Sequence, residues 1–245
     1  MGLLLTQDIE LSESDFRKIS KLVYEHCGIN LHEGKKELVR ARLAKRLREG
    51  NFRSFKQYMS HVLNDTSGHE FSILVDSLST NLTSFFRESQ HFEFLNKTYL
   101  PALLEKKRKK SDFRLRAWSA GCSSGEEPYS IAITLLEATA GQGRWDTKIL
   151  ATDISTKVLE RARTGIYDIE RIEPVPTVLR QKYLRVQRTG HDKFYEVGDQ
   201  IKNAVIFRYL NLMEGWPIKG SVDIIFCRNV MIYFDKPTQS RLVNR

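Results

Sequence analysis

The sequence predicts an α/β fold in which a doubly wound, mostly parallel sheet follows a bundle of helices. Three observations carry the prediction. Residues 113–136 read as strand, glycine turn and helix, the opening of a nucleotide-binding α/β unit. Residues 222–227, Val-Asp-Ile-Ile-Phe-Cys, form a nearly continuous apolar run, as expected of a parallel strand buried on both faces. Residues 11–78 instead place apolar side chains at helical spacing, with glycines only at 28, 34, 50 and 68.

Composition bounds the answer. At 245 residues the chain has room for one large domain or two moderate ones. Its hydrophobic content of 41% suits a packed core, and no apolar run approaches the roughly 20 residues of a membrane span. Residues 1–10 lack the basic segment, apolar core and cleavage site of a secretory signal. Cys27, Cys122 and Cys227 are odd in number and have no metal-ligand spacing, which argues against a disulfide framework and fits a reducing cytoplasm. No histidine pair has zinc spacing, so no metal site is expected. The net charge of +9 implies an anionic partner, either nucleic acid or an acidic protein surface.

Ser12 and Asp15 offer an N-cap to a helix reaching about Cys27, with Phe16, Ile19 and Val23 at helical spacing and Leu22 beside them. A second helix is expected over 33–49, with Val39, Leu43 and Leu47 on one face. Lys35, Arg42, Lys45 and Arg46 form a neighbouring basic stripe, either a solvated face or a docking surface. Helices over 52–63 and 70–78 complete a small bundle, a domain spanning 1–78. The run Thr80-Asn-Leu-Thr-Ser-Phe-Phe-Arg-Glu88 then breaks the pattern: Asn81 and Thr83 are cap-type residues, and Arg87 follows in a short helix. A plain capped linker would look the same. A helix over 91–108 turns Phe92, Leu95, Tyr99 and Leu103 inward and ends in Lys106-Lys-Arg-Lys-Lys110, read as a solvated helix end.

At the opening motif, Gly121 and Gly125 permit a tight turn with close backbone approach to a ligand. Pro128 suits the first turn of a helix, continued by Ile131, Ala132, Leu135 and Leu136. The carboxylates Glu126 and Glu127 decide which nucleotide fits. A phosphate site needs bare N–H groups and usually a lysine, and Gly125 is not followed by Lys-Ser or Lys-Thr. Two acidic groups repel a pyrophosphate but suit a ligand with an ammonium group. S-adenosylmethionine (AdoMet) carries an ammonium and a sulfonium, and no phosphate. The glutamates would also complement the helix dipole without any ligand.

A second strand over 148–152 ends at Asp153, placed to accept hydrogen bonds from both ribose hydroxyls or else to cap the next helix, 155–163. Residues 183–186 and 194–197 flank Thr189-Gly190 as an inserted β-hairpin, a subdomain of about 181–199. A third strand, 205–210, leads to Asn211 and Leu212; the fourth, 222–227, delivers Arg228, Asn229 and, further on, Tyr233. The chain stops within the helix that follows. A doubly wound sheet normally has further strands on that side, so the catalytic domain, 79–245, is expected to be truncated.

Thr80-Asn-Leu-Thr-Ser-Phe-Phe-Arg87, Gly125-Glu-Glu-Pro-Tyr-Ser130, Ala151-Thr-Asp-Ile154 and Val222-Asp-Ile-Ile-Phe-Cys-Arg-Asn-Val-Met-Ile-Tyr-Phe234, in that order, resemble the chemotaxis-receptor methyltransferases, the CheR family. The resemblance implies a class I AdoMet-dependent methyltransferase with an N-terminal all-helical, receptor-recognising domain and a small inserted antiparallel β-subdomain. It implies methyl transfer from AdoMet to glutamate carboxylates on cytoplasmic chemoreceptor helices, giving methyl esters and S-adenosylhomocysteine. Carried over by motif, Asn81, Thr83 and Arg87 line the cofactor pocket, Glu127 meets the methionyl ammonium and Asp153 the ribose. Asn211, Leu212, Arg228 and Asn229 close around the adenine and the methionyl end, while Arg87 and Tyr233 stand beside the transferring methyl. Lys35, Arg42, Lys45 and Arg46 would steer the enzyme onto the acidic receptor bundle. Family members differ in whether the β-subdomain grips a receptor's C-terminal peptide; the short hairpin loop, 187–193, leans toward those that do not.

A nucleic-acid methyltransferase of the same fold is the main alternative, favoured by the basic charge. Enzymes that methylate exocyclic amines usually carry an Asp/Asn-Pro-Pro-aromatic run after the fourth strand, where this chain has Arg228-Asn229-Val230. Cys122 or Cys227 as a nucleophile on a pyrimidine lacks a recognisable setting, and buried cysteine is the common case. A non-enzymatic scaffold is disfavoured by the presence of both Arg87 and Tyr233.

Overall fold

A computed structural model describes residues 9–189 and 192–245, in two compact units. The first is helical. In α1 (Glu13–Cys27) the Ser12 hydroxyl accepts the Asp15 N–H, and Phe16, Ile19, Val23 and Cys27 are buried. Glu33–Lys35 form a single 3₁₀ turn before α2 (Lys36–Glu49), which buries Val39, Leu43 and Leu47 as the spacing predicts. Helices α3 (Phe55–Asn64) and α4 (His69–Leu78) complete the bundle, α4 packing against both α2 and α3.

The second unit opens with α5 (Ser89–Phe94), a π turn (Leu95–Tyr99) and α6 (Leu100–Lys109). The π turn adds one residue to the helical repeat. The inward face therefore moves from the expected Tyr99 and Leu103 to Leu100 and Leu104, at 0% and 4% exposure, and Tyr99 is 39% exposed. The basic run at the end of α6 is not wholly solvated either: Lys107 lies between Asp112 and Asp223, at 3.1 and 2.9 Å.

Next come β1 (Arg114–Ala120), α7 (Glu126–Thr139), β2 (Asp146–Asp153) and α8 (Thr156–Thr164). An inserted section holds β3 (Ile166–Asp168), α9 (Ile169–Ile172), α10 (Thr177–Tyr183), β4 (Leu184–Thr189) and β5 (Asp192–Val197). Then follow α11 (Asp199–Ala204), β6 (Val205–Tyr209) and β7 (Ile224–Phe226). The main sheet is parallel in the order β6-β2-β1-β7, with Ser119 of β1 beside Ala151 of β2 and Phe226 of β7. The order reverses direction at β1, so the carboxyl ends of β1 and β7 flank the switch point where ligands of such sheets bind. Leu115 and Ala117, Ile149 and Ala151, and Phe207 pack with Ile131 and Leu135 of α7 in the core.

The insert is larger than the expected hairpin. Its sheet has three antiparallel strands, β3-β5-β4, because Ile166–Asp168 pairs with β5. Two residues of the hairpin loop, Gly190 and His191, lie outside the described residues, and with them the reading of loop length.

The chain rejoins the helical unit twice, at Asn211–Gly215 and at Met231–Arg245, which contains α12 (Lys236–Val243). Ile29 bridges Phe234, the Tyr24 hydroxyl donates to Asp235 at 2.8 Å, and the Asn211 amide donates to the His26 carbonyl at 2.5 Å. The helical unit is thus discontinuous in sequence, where 1–78 was expected. Among the described residues no helix is long and apolar enough to cross a membrane.

Candidate cofactor and active site

Three segments build the site in the second unit: the turn after β1, the end of β2 and the residues after β7, with the linker 81–88 laid against them. Gly121 and Gly125 have φ of +82° and +99°, which side-chain-bearing residues rarely adopt. A Cβ at Gly121 would stand 2.3 Å from Val230 Cγ2, and one at Gly125 2.8 Å from the Tyr167 hydroxyl. The N–H groups of Gly121 and Cys122 donate to the Thr152 carbonyl, and the Ser123 N–H donates to Asp153 Oδ2 at 2.8 Å. The turn is thereby fastened to the tip of β2.

Asp153 also accepts the Ser155 N–H on Oδ1 at 2.9 Å. The cap of α8 is nevertheless Ser155, whose hydroxyl accepts the Val158 N–H.

The two glutamates separate. Glu126 is fully buried, ion-paired to Arg171 and hydrogen-bonded by the Ser124 hydroxyl at 2.7 Å. Its charge is spent inside the fold, which corrects the expectation that both carboxylates select the ligand. Glu127 takes a 2.7 Å hydrogen bond from Ser119 and faces Arg228 Nη1 at 3.2 Å. Burial pushes its carboxyl above the ordinary 4.5, against the pull of Ser119 and Arg228.

Arg228 joins the parts. It donates to the Arg87 carbonyl at 2.5 Å and pairs with Glu88 at 3.1 Å. Its guanidinium lies 5.6 and 5.7 Å from the ring centres of Phe92 and Phe226. Its Nε is buried and has no hydrogen-bond acceptor among the described residues. Asn229, at φ +57°, donates to Glu88 Oε1 at 3.2 Å. Arg228 and Asn229 together hold the Glu88 carboxyl below its usual range. Glu88 and Ser119 are the site residues that sequence reasoning missed; adjacency to Arg87 was the available signal for Glu88.

In the linker, Phe86 and Glu88 both have positive φ, and Arg87 between them donates to the Leu82 carbonyl at 2.8 Å. Phe85 is fully buried with its ring edge-on to Tyr167, the Phe86 N–H donates to the Ser130 hydroxyl, and the Asn81 carbonyl accepts from Ser123. Asn81, Thr83 and Arg87 remain half-buried. Direct bonds therefore unite Glu127, Arg228, Asn229 and the linker.

The other expected residues belong to the helical unit. The Asn211 side chain is fully engaged there, donating to His26 and Glu214 and accepting from Met213 N–H. Leu212 is buried, and the Tyr233 hydroxyl donates to the Thr80 carbonyl at 3.2 Å. The basic stripe is partly committed. Arg46 forms a two-point pair with buried Glu70, and Arg42 donates to the Leu78 carbonyl and the Thr80 hydroxyl. Lys45 is exposed beside Glu49, and Lys35 half-buried. A free basic face made of all four is not what the helix presents.

The all-alpha domain of CheR methyltransferases matches residues 14–79, and their SAM-binding domain matches residues 81–245. The chain belongs to the CheR methyltransferase family. A chemotaxis protein methyltransferase of Borreliella burgdorferi is 45% identical over 97% of this chain and 84% of its own length. Chemotaxis protein methyltransferase 2 of Pseudomonas aeruginosa is 44% identical, covering 98% and 82%. The Escherichia coli chemotaxis protein methyltransferase is 40% identical, covering 99% and 82%. This CheR-family chain is an AdoMet-dependent methyltransferase. The donor set fits that cosubstrate: a buried carboxylate, Glu127, suits an ammonium, and a carboxylate at the tip of β2, Asp153, suits a ribose. The thiols do not suggest another chemistry, since burial raises both the Cys122 and the Cys227 pKa and disfavours the nucleophilic thiolate.

Proposed function

We propose that this CheR-family enzyme methylates glutamate side chains on the cytoplasmic helices of chemoreceptors, giving glutamate methyl esters, and that it works in the cytoplasm. The names of its relatives support a chemotaxis role. The observation that carries the reading is the Glu127–Arg228–linker network at the carboxyl ends of β1 and β7. AdoMet, when bound, supplies an activated methyl on a positively charged sulfur.

The chain's own groups then have defined tasks. Glu127 holds the ammonium and Asp153 the ribose hydroxyls. Arg228, braced by Glu88 and two phenylalanines, keeps Glu127 and the linker at fixed spacing. By the family motif, Asn211 and Leu212 are assigned to the adenine. Asn81, Thr83 and Asn229 complete the lining. No general base is needed, because a glutamate with a pKa near 4.3 is already ionised at neutral pH. Arg87 has donors beyond its bond to Leu82 and holds the incoming carboxylate; Tyr233 gives it direction. The helical domain meets the receptor through Lys35 and Lys45, with Arg42 and Arg46 adding to the local positive potential.

Transfer of radiolabelled methyl to a receptor fragment tests the reading. Arg87→Ala should lower turnover at least about tenfold, equivalent to about 1.4 kcal/mol of barrier. Tyr233→Phe should lower it as well while leaving S-adenosylhomocysteine affinity intact. Transfer to RNA in place of the receptor fragment would overturn the substrate class.

A further inference from the structure

The inserted β-subdomain reaches into the cofactor turn. Tyr167 of β3 is 1% exposed, and its hydroxyl donates to the Ser124 carbonyl at 2.6 Å. The same hydroxyl lies where a Cβ on Gly125 would intrude, so the ring fixes the height of the turn. Arg171 of α9 donates to Glu126 and, at 3.3 Å, to the Ser124 hydroxyl, which itself donates to Glu126. Ser123, the next residue back, holds Asp153 through its N–H and the linker through its hydroxyl. The Tyr167 ring also meets Phe85 edge-on at 5.0 Å, two residues before Arg87.

We propose that Tyr167 and Arg171 are positioning residues for AdoMet, and that the insert clamps the turn 121–126 in its binding shape. Neither side chain is one the cofactor-lining motifs supply. A turn of two glycines and two serines would otherwise sample many conformers, and ordering it on binding would weaken affinity. The clamp fixes that turn before the ligand arrives. A buried Glu126 with no ligand role is then explained: it is the anchor that Arg171 grips. The proposal rests on the reading that AdoMet lies against this turn.

The test compares Tyr167→Phe, Arg171→Met, Arg171→Lys and Asp153→Ala for S-adenosylhomocysteine affinity by calorimetry, alongside thermal midpoints and kcat with KM for AdoMet. Tyr167→Phe keeps the ring and removes one hydrogen bond, so affinity should fall about fivefold, with kcat at saturating AdoMet nearly unchanged. Arg171→Met should weaken binding at least about tenfold, and Arg171→Lys should restore part of it. Should Arg171→Met fail to fold, Tyr167→Phe decides alone. Lower melting points with unaltered affinity in the insert variants, while Asp153→Ala binds poorly, would overturn the clamp. Unaltered affinity in Asp153→Ala too would instead remove the cofactor placement and the clamp with it.

Discussion

Glu127 shows how little its position in sequence says about its chemistry. It and Glu126 are neighbours in the first turn of α7, yet Glu126 is ion-paired to Arg171, 45 residues away, while Glu127 accepts from Ser119 and faces Arg228. The sequence places both at the helix end, and only the tertiary partners tell them apart. Asp153 is the opposite case: its place after a strand was legible, and Ser155 resolves the cap alternative. The raised pKa of Glu127 has a sign that can be checked. The folded chain holds this proton more tightly than the unfolded chain, so its contribution to stability is fully present below 4.5 and lost as pH rises through the raised value. An ammonium ligand binds the ionised form. S-adenosylhomocysteine affinity should therefore fall on acidification below neutral pH, with proton release accompanying binding there. Glu127→Gln should bind about tenfold more weakly at neutral pH, as expected for a lost hydrogen bond to a charged group, and lose this pH dependence. Calorimetry showing the same pH profile in both proteins would take the ammonium away from Glu127.

Elements were legible where their period was long enough to count. The bundle helices follow from 3.6-residue spacing and the three-residue β7 from the apolar run around it, whereas Ile166–Asp168 has three residues and no such run. The π turn at Leu95–Tyr99 misleads for a different reason: a spacing rule assumes a regular helix, and one extra residue rotates every later side chain. Leu100→Ala and Leu104→Ala should each cost about 2–5 kcal/mol in denaturant unfolding, and half-buried Leu103→Ala clearly less. Equal losses at 103 and 104 would restore the unbroken helix. On α2 the same logic divides the basic stripe. Arg46→Ala leaves Glu70 buried without its partner and should cost about 3 kcal/mol. Lys45→Ala, at an exposed pair with Glu49, should stay within about 0.5 kcal/mol.

At the scale of the whole molecule, the contiguous division into domains hid two returns of the chain to the helical unit. Contacts such as Tyr24 with Asp235, 211 residues apart, leave no trace in local pattern. Net charge, by contrast, is legible without any structure, because a field at long range depends on the sum of charges more than on their pairing. The chain carries 39 Lys and Arg against 30 Asp and Glu. The pairing of Arg46 with Glu70 removes a local binding group from α2 but leaves the total of +9 intact. An acidic receptor bundle should therefore be attracted before any specific contact forms. Raising ionic strength from about 0.01 to about 0.15 M shortens the Debye length from about 30 to about 8 Å, which screens approach more than chemistry. The kcat/KM for intact receptor should fall at least about tenfold across that range, while kcat at saturating receptor stays nearly constant. Affinity for S-adenosylhomocysteine should respond far less if, as proposed, its ammonium meets the largely buried Glu127. A kcat/KM that ignores salt would mean that the positive charge has no part in finding the substrate, and recognition would then rest on short-range contacts alone.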